Sequence, residues 1–214
     1  MDTQNEKNIK EYVNSAKNIL IICKNNGNDS LATGISVAKF IEKTAAKTAN
    51  LVYKGNMAAV DPYLLSLYPV KETIEPRTLK LSLSYAGTAV ETLNWHKDEE
   101  AGKIVFEIKP VDKDFNANRI THEFEGGEYD LIVTIGVTDL EDLEDIYLKN
   151  KEIFTSAKII NIDTSGANKR FGDLNIIDTG VESLSGLIFS KFAEWKYVPD
   201  KDIVKSLLVG IAGS

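Results

Sequence analysis

Cysteine, histidine, positive charge and long apolar runs are all scarce in this chain of 214 residues. A single cysteine, Cys23, leaves nothing from which to build a disulfide framework and fits a reducing compartment. No apolar run approaches the ~20 residues needed to span a bilayer. The N-terminus, MDTQNEKNIKEY, lacks the apolar core of a secretion signal. Membrane and disulfide-scaffold classes are thereby excluded, and a soluble cytoplasmic protein is expected. Lys and Arg number 25 against 32 Asp and Glu, a formal charge of −7, which opposes bulk attraction to nucleic acid. A local basic cleft remains compatible with that charge. Lys169 and Arg170 are adjacent, and they read as solvated loop charges. Linkers rich in Pro, Gly or Ser, internal repeats and low-complexity tracts are missing too, so residues 1–214 read as one domain. An apolar share of 43% suits one sizeable core.

What is present follows a repeated grammar. Ile9, Tyr12, Val13 and Ala16 form the stripe of an amphipathic helix. Residues 18–23 (NILIIC) are a short continuous apolar run, the mark of a strand buried on both faces. A polar loop, 24–30 (KNNGNDS), leads to a helical pattern through Leu31, Ile35, Ala38 and Ile41, and then to a second strand at 49–53. Strand, helix and strand in that order make a right-handed βαβ unit with parallel pairing. The pattern returns with a buried strand at 130–135 (DLIVTI). A helix carrying Leu140, Leu143, Ile146 and Tyr147 on one face follows it. Strands at 158–162 (KIINI) and 174–177 (LNII) come next, then a helix from Ser183 and a last helix near Pro199. The expected fold is therefore α/β, a mostly parallel, doubly wound sheet.

The middle of the chain differs. Residues 79–85, 92–96 and 104–108 alternate apolar and polar, and KDEEAGK (97–103) lies between the last two as a turn. Period-two alternation predicts strands with one wet face, hence an antiparallel hairpin insert at about 79–110. Trp95, Val105 or Ile108 is expected to be buried against the domain or a second copy of the chain, since an exposed apolar stripe invites association.

In open parallel sheets, ligands bind beyond the carboxyl ends of the strands. That rule selects the loops 23–30, 136–139 and 163–168, together with the chain end at 210–214. The segments ILIICKNNGNDSLATGISVAKFIEK, YDLIVTIGVTDLEDL, KIINIDTSGANKRFGDLNIIDTGVESLSGLIF and LLVGIAGS occur there in order. They resemble the four motifs of the DHH family of phosphoesterases, which includes RecJ-like nucleases and oligoribonuclease/pAp phosphatases. The first family motif reads H-x-N-P-D-x-D-x-x-G-S after a strand, and the second ends in L-D-x-x-D. The third surrounds Asp-His-His and continues into F-G-x-x-N, and the fourth is G-I-x-T-D. The resemblance covers about two thirds of the chain. It implies an N-terminal DHH domain, with the family's second, substrate-binding domain absent from a chain that stops inside the last motif.

The family holds two divalent metals, manganese or magnesium, whose bound water attacks a phosphoester. Matched one position at a time, the first-motif histidine falls on Cys23 and its aspartates on Gly27 and Asp29. The bridging aspartate falls on Gly136, the Asp-His-His on Asp163, Thr164 and Ser165, and the last aspartate on Ser214. Of six ligand positions only Asp29 keeps a ligand. Glycine supplies no donor, and neutral hydroxyls are poor partners for hard divalent cations. No metal cofactor and no catalytic residue are expected.

Other features read more plainly. His96 and His122 lie outside these loops as surface residues, and Cys23 reads as a buried, inert thiol. Asp29 and Asp139 each read as the N-cap of the helix that follows. Asp163 is expected to bond backbone amides of its own loop. What remains suits a binding site better than a catalytic one. The 24–30 loop opens a helix whose amides can face an anion, and Asn25, Ser30, Asn168, Ser183 and Ser185 surround the same cleft. The leading expectation is a DHH-like domain without di-metal catalysis that binds nucleotide, phosphate, a short oligonucleotide or a protein partner. Two alternatives stand beside it. One is an active metal-dependent phosphodiesterase with an atypical site. The other is an interaction module, homo-oligomeric or bound to another protein, that works through the 79–110 insert.

Overall fold

The computed structural model describes residues 3–24, 27–85 and 87–213; of residues 3–7, 117, 124 and 125 it describes the backbone alone. In chain order, helix α1 (Thr3–Ser15) leads to β1 (Ile19–Lys24), α2 (Gly27–Ala45), β2 (Ala49–Lys54), α3 (Pro62–Leu67) and β3 (Val70–Lys71). Strands β4 (Thr78–Leu83), β5 (Val90–Asp98), β6 (Lys103–Pro110) and β7 (Ile120–Glu125) follow. After β8 (Leu131–Ile135) come a 3₁₀ turn (Leu140–Leu143), α4 (Asp145–Leu148), α5 (Lys151–Ser156), β9 (Lys158–Asp163), β10 (Leu174–Ile177), α6 (Leu184–Glu194) and α7 (Lys201–Ala212). Two compact units result, Met1–Glu75 with Gly127–Ser214, and Pro76–Gly126.

The first unit is an α/β fold. Among the described residues its sheet has six strands in the order β10-β9-β8-β1-β2-β3, every pair parallel. The runs at 18–23, 130–135 and 158–162 are thus the adjacent strands β1, β8 and β9, as their continuous apolarity predicts. Their side chains alternate between two cores. Ile19, Ile21, Cys23, Val133 and Ile160 face one cluster with Leu31, Ile35, Leu187, Phe192 and Leu207. Leu20, Ile22, Val52 and Ile132 face the other with Leu143, Ile146 and Phe154. On the first side Phe40, Phe192, Trp195 and Tyr197 pack with ring centroids 4.9 to 5.9 Å apart, a spacing at which aromatic pairs attract beyond simple burial. Helix α2 packs beneath α7, where glycine allows close approach. A Cβ on Gly210 would lie 2.1 Å from Ser185 Oγ and 2.9 Å from Ala32 Cβ. The C-terminus of α1 is closed by Lys47, whose Nζ donates to Val13 O at 2.8 Å and Ala16 O at 2.6 Å.

Three sequence readings are corrected here. The 24–30 loop is shorter than expected, because Lys24 completes β1 and Gly27 already opens α2. The helix carrying Leu140 to Tyr147 is broken in two. Glu144 adopts φ +49°, and a left-handed residue cannot continue a right-handed helix, although Leu143 and Ile146 are still buried. The segment 210–214 does not follow a strand, since Gly210 lies inside α7. No helix among the described residues is long and apolar enough to cross a membrane.

The second unit, Pro76–Gly126, consists of two antiparallel ribbons. Strands β5 and β6 form the hairpin read from the sequence, with Leu93 opposite Ile108, Trp95 opposite Phe106 and His96 opposite Val105. Strand β4 pairs not with this hairpin but with β7, which the sequence reading left unassigned. Trp95 is 64% exposed, and Val105 and Ile108 are half-buried, so none of the three is buried within the hairpin.

Candidate functional site

Parallel register brings the selected loops to one edge. Cys23 lies beside Ile135 and Ile135 beside Ile162, so the chain leaves β1, β8 and β9 at the same level. Gly136, the first residue after β8, donates its N–H to Ile162 O at 2.9 Å.

Asp29 sits in the first turn of α2 and is 1% exposed. Its carboxylate does not cap its own helix. It accepts hydrogen bonds from Leu184 N at 2.7 Å and Ser185 N at 2.8 Å, the first two amides of α6. Ser183 Oγ accepts from Gly186 N at 3.0 Å, so the next exposed amide is also taken. The N-terminus of a helix carries unpaired donors and partial positive charge, and here an internal carboxylate supplies the anion that such an end attracts. Ser185 Oγ lies 3.2 Å from Thr33 Oγ1 and donates to Asp29 O at 3.4 Å. Of the two serines read as ligand contacts, Ser183 therefore caps α6 itself and Ser185 holds α6 against α2. Ser30 is fully buried beside them, and its Oγ has no hydrogen-bond partner.

Asp163, the last residue of β9, is 4% exposed. One carboxylate oxygen accepts from Thr164 N at 2.8 Å, within its own loop, and the other from Asn168 Nδ2 at 2.7 Å. Asn168 Nδ2 also donates to Val137 O at 2.9 Å, and its Oδ1 accepts from Asn161 Nδ2 at 2.9 Å. Asn161 Oδ1 in turn accepts from Thr134 Oγ1 at 3.1 Å. This relay ties the loop after β9 to the end of β8. Sequence reasoning missed Thr134 and Asn161, yet a signal existed. Both are polar residues inside otherwise apolar buried strands, where a polar group requires a partner. Ser165 Oγ accepts from Ala167 N at 3.2 Å in a local turn.

Lys24 and Lys54 at this edge were missed as well, and they and Lys169 are each paired with an acid on the segment after β8. Lys24 Nζ lies 2.7 Å from Asp142, Lys54 Nζ lies 2.9 Å from Glu144, and Lys169 pairs with Asp139. Asp139 occupies the N-cap position of the 3₁₀ turn, but its carboxylate makes no cap bond, because it reaches Lys169 instead. A hydrogen bond shared with Glu141, then the Lys169 ammonium, hold the Asp139 carboxyl below its ordinary value, and Asp139 raises Lys169 in return. Lys169 is thus an ion-pair partner rather than a freely solvated charge. Its neighbour Arg170 is exposed in a left-handed conformation.

These residues do not fit a two-metal centre. Asp29 has both oxygens engaged by amides. Gly27 and Gly136 offer no donor, and their φ values of +60° and +67° belong to the region that favours glycine. Cys23 is fully buried, burial pushes its thiol pKa up, and its sulfur packs where a Cβ on Gly34 would come within 2.3 Å. Thr164 and Ser165 offer only hydroxyls. His96 and His122 are exposed on the second unit. Among the described residues no three His, Cys, Asp or Glu side chains gather to hold a metal. Asn25 and Ser214 lie outside the described residues.

Fold and site together define an α/β protein with a parallel, doubly wound sheet whose carboxyl edge is internally hydrogen-bonded and ion-paired. No family model and no curated protein match the sequence. Among solved structures the chain is similar to an exopolyphosphatase-related protein from Bacteroides fragilis, with a TM-score of 0.56 and 12% identity. The match covers 97% of this chain and 49% of that one, so the chain spans about half the length of its neighbour. At that identity the likeness supports a phosphoesterase-like fold and nothing finer.

Proposed function

We propose that this chain is a DHH-type phosphoesterase domain that has lost two-metal hydrolysis and retains a binding role for a phosphate-bearing ligand such as a nucleotide or short oligonucleotide. The observation that carries the reading is the engagement of Asp29. As the sole carboxylate left at the matched ligand positions, it is 1% exposed and held by two amides of α6, so a metal would have to reach a buried group already given to another task. The sequence order of the motif-like segments and the likeness to an exopolyphosphatase-related fold support the family part of the reading. Lys24, Lys54 and Lys169 at the same edge supply the positive charge that a phosphate would meet, although each must first leave its acidic partner.

The test is hydrolysis of short oligonucleotides and of 3′,5′-bisphosphorylated adenosine with manganese, magnesium or cobalt, beside calorimetric metal and nucleotide titrations. No metal-dependent turnover and at best weak, metal-independent nucleotide binding are expected. Metal-dependent turnover that disappears in a folded Asp29→Asn variant would overturn the reading. Nucleotide binding unaffected by removal of all three lysines would overturn its binding part.

A further inference from the structure

The second unit folds without a core of its own. Among the described residues of Pro76–Gly126, no side chain is buried. Two-stranded ribbons are marginal in water unless an apolar face is covered. Directly opposed residues of an antiparallel pair share a face. The β5–β6 register therefore places Leu93, Trp95, Ile104, Phe106 and Ile108 together on one side, with Lys97, opposite Ile104, at its turn end. The other side carries Asn94 opposite Glu107 and His96 opposite Val105. Leu93, Trp95, Ile104 and Phe106 are 52 to 64% exposed. The β4–β7 ribbon does not cover them, since its own Leu79, Leu81 and Ile120 are 50 to 55% exposed.

We infer that the apolar face of the β5–β6 ribbon is a dimerisation surface whose occupant is the same face of a second copy of this chain. The area decides for a second copy. With aromatic side chains contributing roughly 150–250 Å² each, the four exposed residues leave on the order of 500 Å² of apolar surface open. Set against an identical face, they remove on the order of 1,000 Å² in total, the size of a weak, concentration-dependent interface rather than the roughly 1,200 Å² or more of a stable one. A two-fold pairing centred on Trp95 and Phe106 meets apolar groups with apolar groups and leaves the charge of Lys97 at the rim of each copy. This inference concerns the second unit and is independent of the site on the first.

Sedimentation of the full chain from about 1 to about 200 µM, a range that spans the affinities expected of so small an interface, tests it. The wild type should convert reversibly from monomer to dimer as concentration rises. Trp95→Lys combined with Phe106→Glu should weaken association at least about a hundredfold, the effect of losing two central anchors. Asn94→Lys, on the opposite face, should leave it unchanged. Both altered residues are exposed, so circular dichroism should match the wild type. Quenching of tryptophan emission by acrylamide gives a second readout: Trp95 should become protected in the dimer, while Trp195, 8% exposed, stays protected throughout. A wild type that stays monomeric over the range, or a dimer indifferent to the double substitution, would overturn the inference.

Discussion

Replacing Asp29 with alanine separates a structural carboxylate from a vestigial metal ligand. The substitution strips two amides of α6, at 2.7 and 2.8 Å, of an acceptor in a place where Asp29 is 1% exposed. A hydrogen bond to an ionised group contributes about 1.5–3 kcal/mol, and buried donors left unmatched carry a desolvation penalty. Relief of the cost of burying the carboxylate offsets part of this. The net loss should be about 3 kcal/mol, or roughly 6–12 °C in Tm for a chain of this length. Urea unfolding at neutral pH in the presence of EDTA is the assay, with hydrogen exchange at Leu184 and Ser185 as a local readout. Asp29→Asn keeps one acceptor oxygen and should lose about half as much. A side chain retained only to hold metal behaves oppositely, because its removal in chelator costs nothing. A variant as stable as the wild type in EDTA, with unchanged exchange at those amides, would refute the reasoning.

Two further outcomes follow from the packing and the ion pairs. Gly34→Ala would place a Cβ 2.3 Å from Cys23 Sγ, and overpacking of this kind should cost about 1–3 kcal/mol. Adding Cys23→Ala should restore part of it, so strictly additive losses in a double-mutant cycle would show that the contact is not the cause. Asp173 binds Lys158 Nζ at 2.7 Å and Ile159 N at 2.9 Å. Partial burial alone would raise its pKa, but these bonds outweigh burial and hold it below the ordinary value. A depressed folded pKa gives stability that is present above the unfolded value of about 3.9 and lost as pH falls through the folded one. Asp173→Asn should therefore flatten the acid limb of stability below about pH 4, and equal slopes in urea titrations from pH 2.5 to 6 would contradict this.

The central strands were legible because burial on both faces removes polar residues from the sequence itself, as in NILIIC and DLIVTI. The hairpin was equally plain, because alternation stops at KDEEAGK, although the turn is shorter than the 97–103 read from the sequence: Lys97, Asp98 and Lys103 still pair in the strands and only 99–102 turn. Strand β7 was not, since ITHEFE alternates with only Ile120 and Phe124 as apolar members. The break at Glu144 leaves the spacing of Leu140, Leu143, Ile146 and Tyr147 untouched, so periodicity cannot register it. Asp29 was misassigned for a different reason. A carboxylate at the start of a helix looks the same in sequence whether it caps that helix or one that begins 155 residues later. The ion pairs of Lys24 and Lys54 are hidden by the same separation, as their partners lie beyond the whole insert. Sequence exposed Gly27 and Gly136 as positions without a donor, but it gave no sign that the backbone there is left-handed.

That backbone sets a cost on placing a carboxylate at the carboxyl edge. An aspartate introduced at residue 136 would inherit φ +67°, a conformation costing about 1–2 kcal/mol for a residue with a Cβ, and that Cβ would press within 3.1 Å of Leu184 Cδ1. At residue 27, φ is +60° and the added atom would lie 3.3 Å from Gly213 O. An aspartate at either place therefore starts with a strained main chain and a close contact, and brings no benefit until a second ligand is present. Single substitutions toward an acidic edge thus run uphill at their first step.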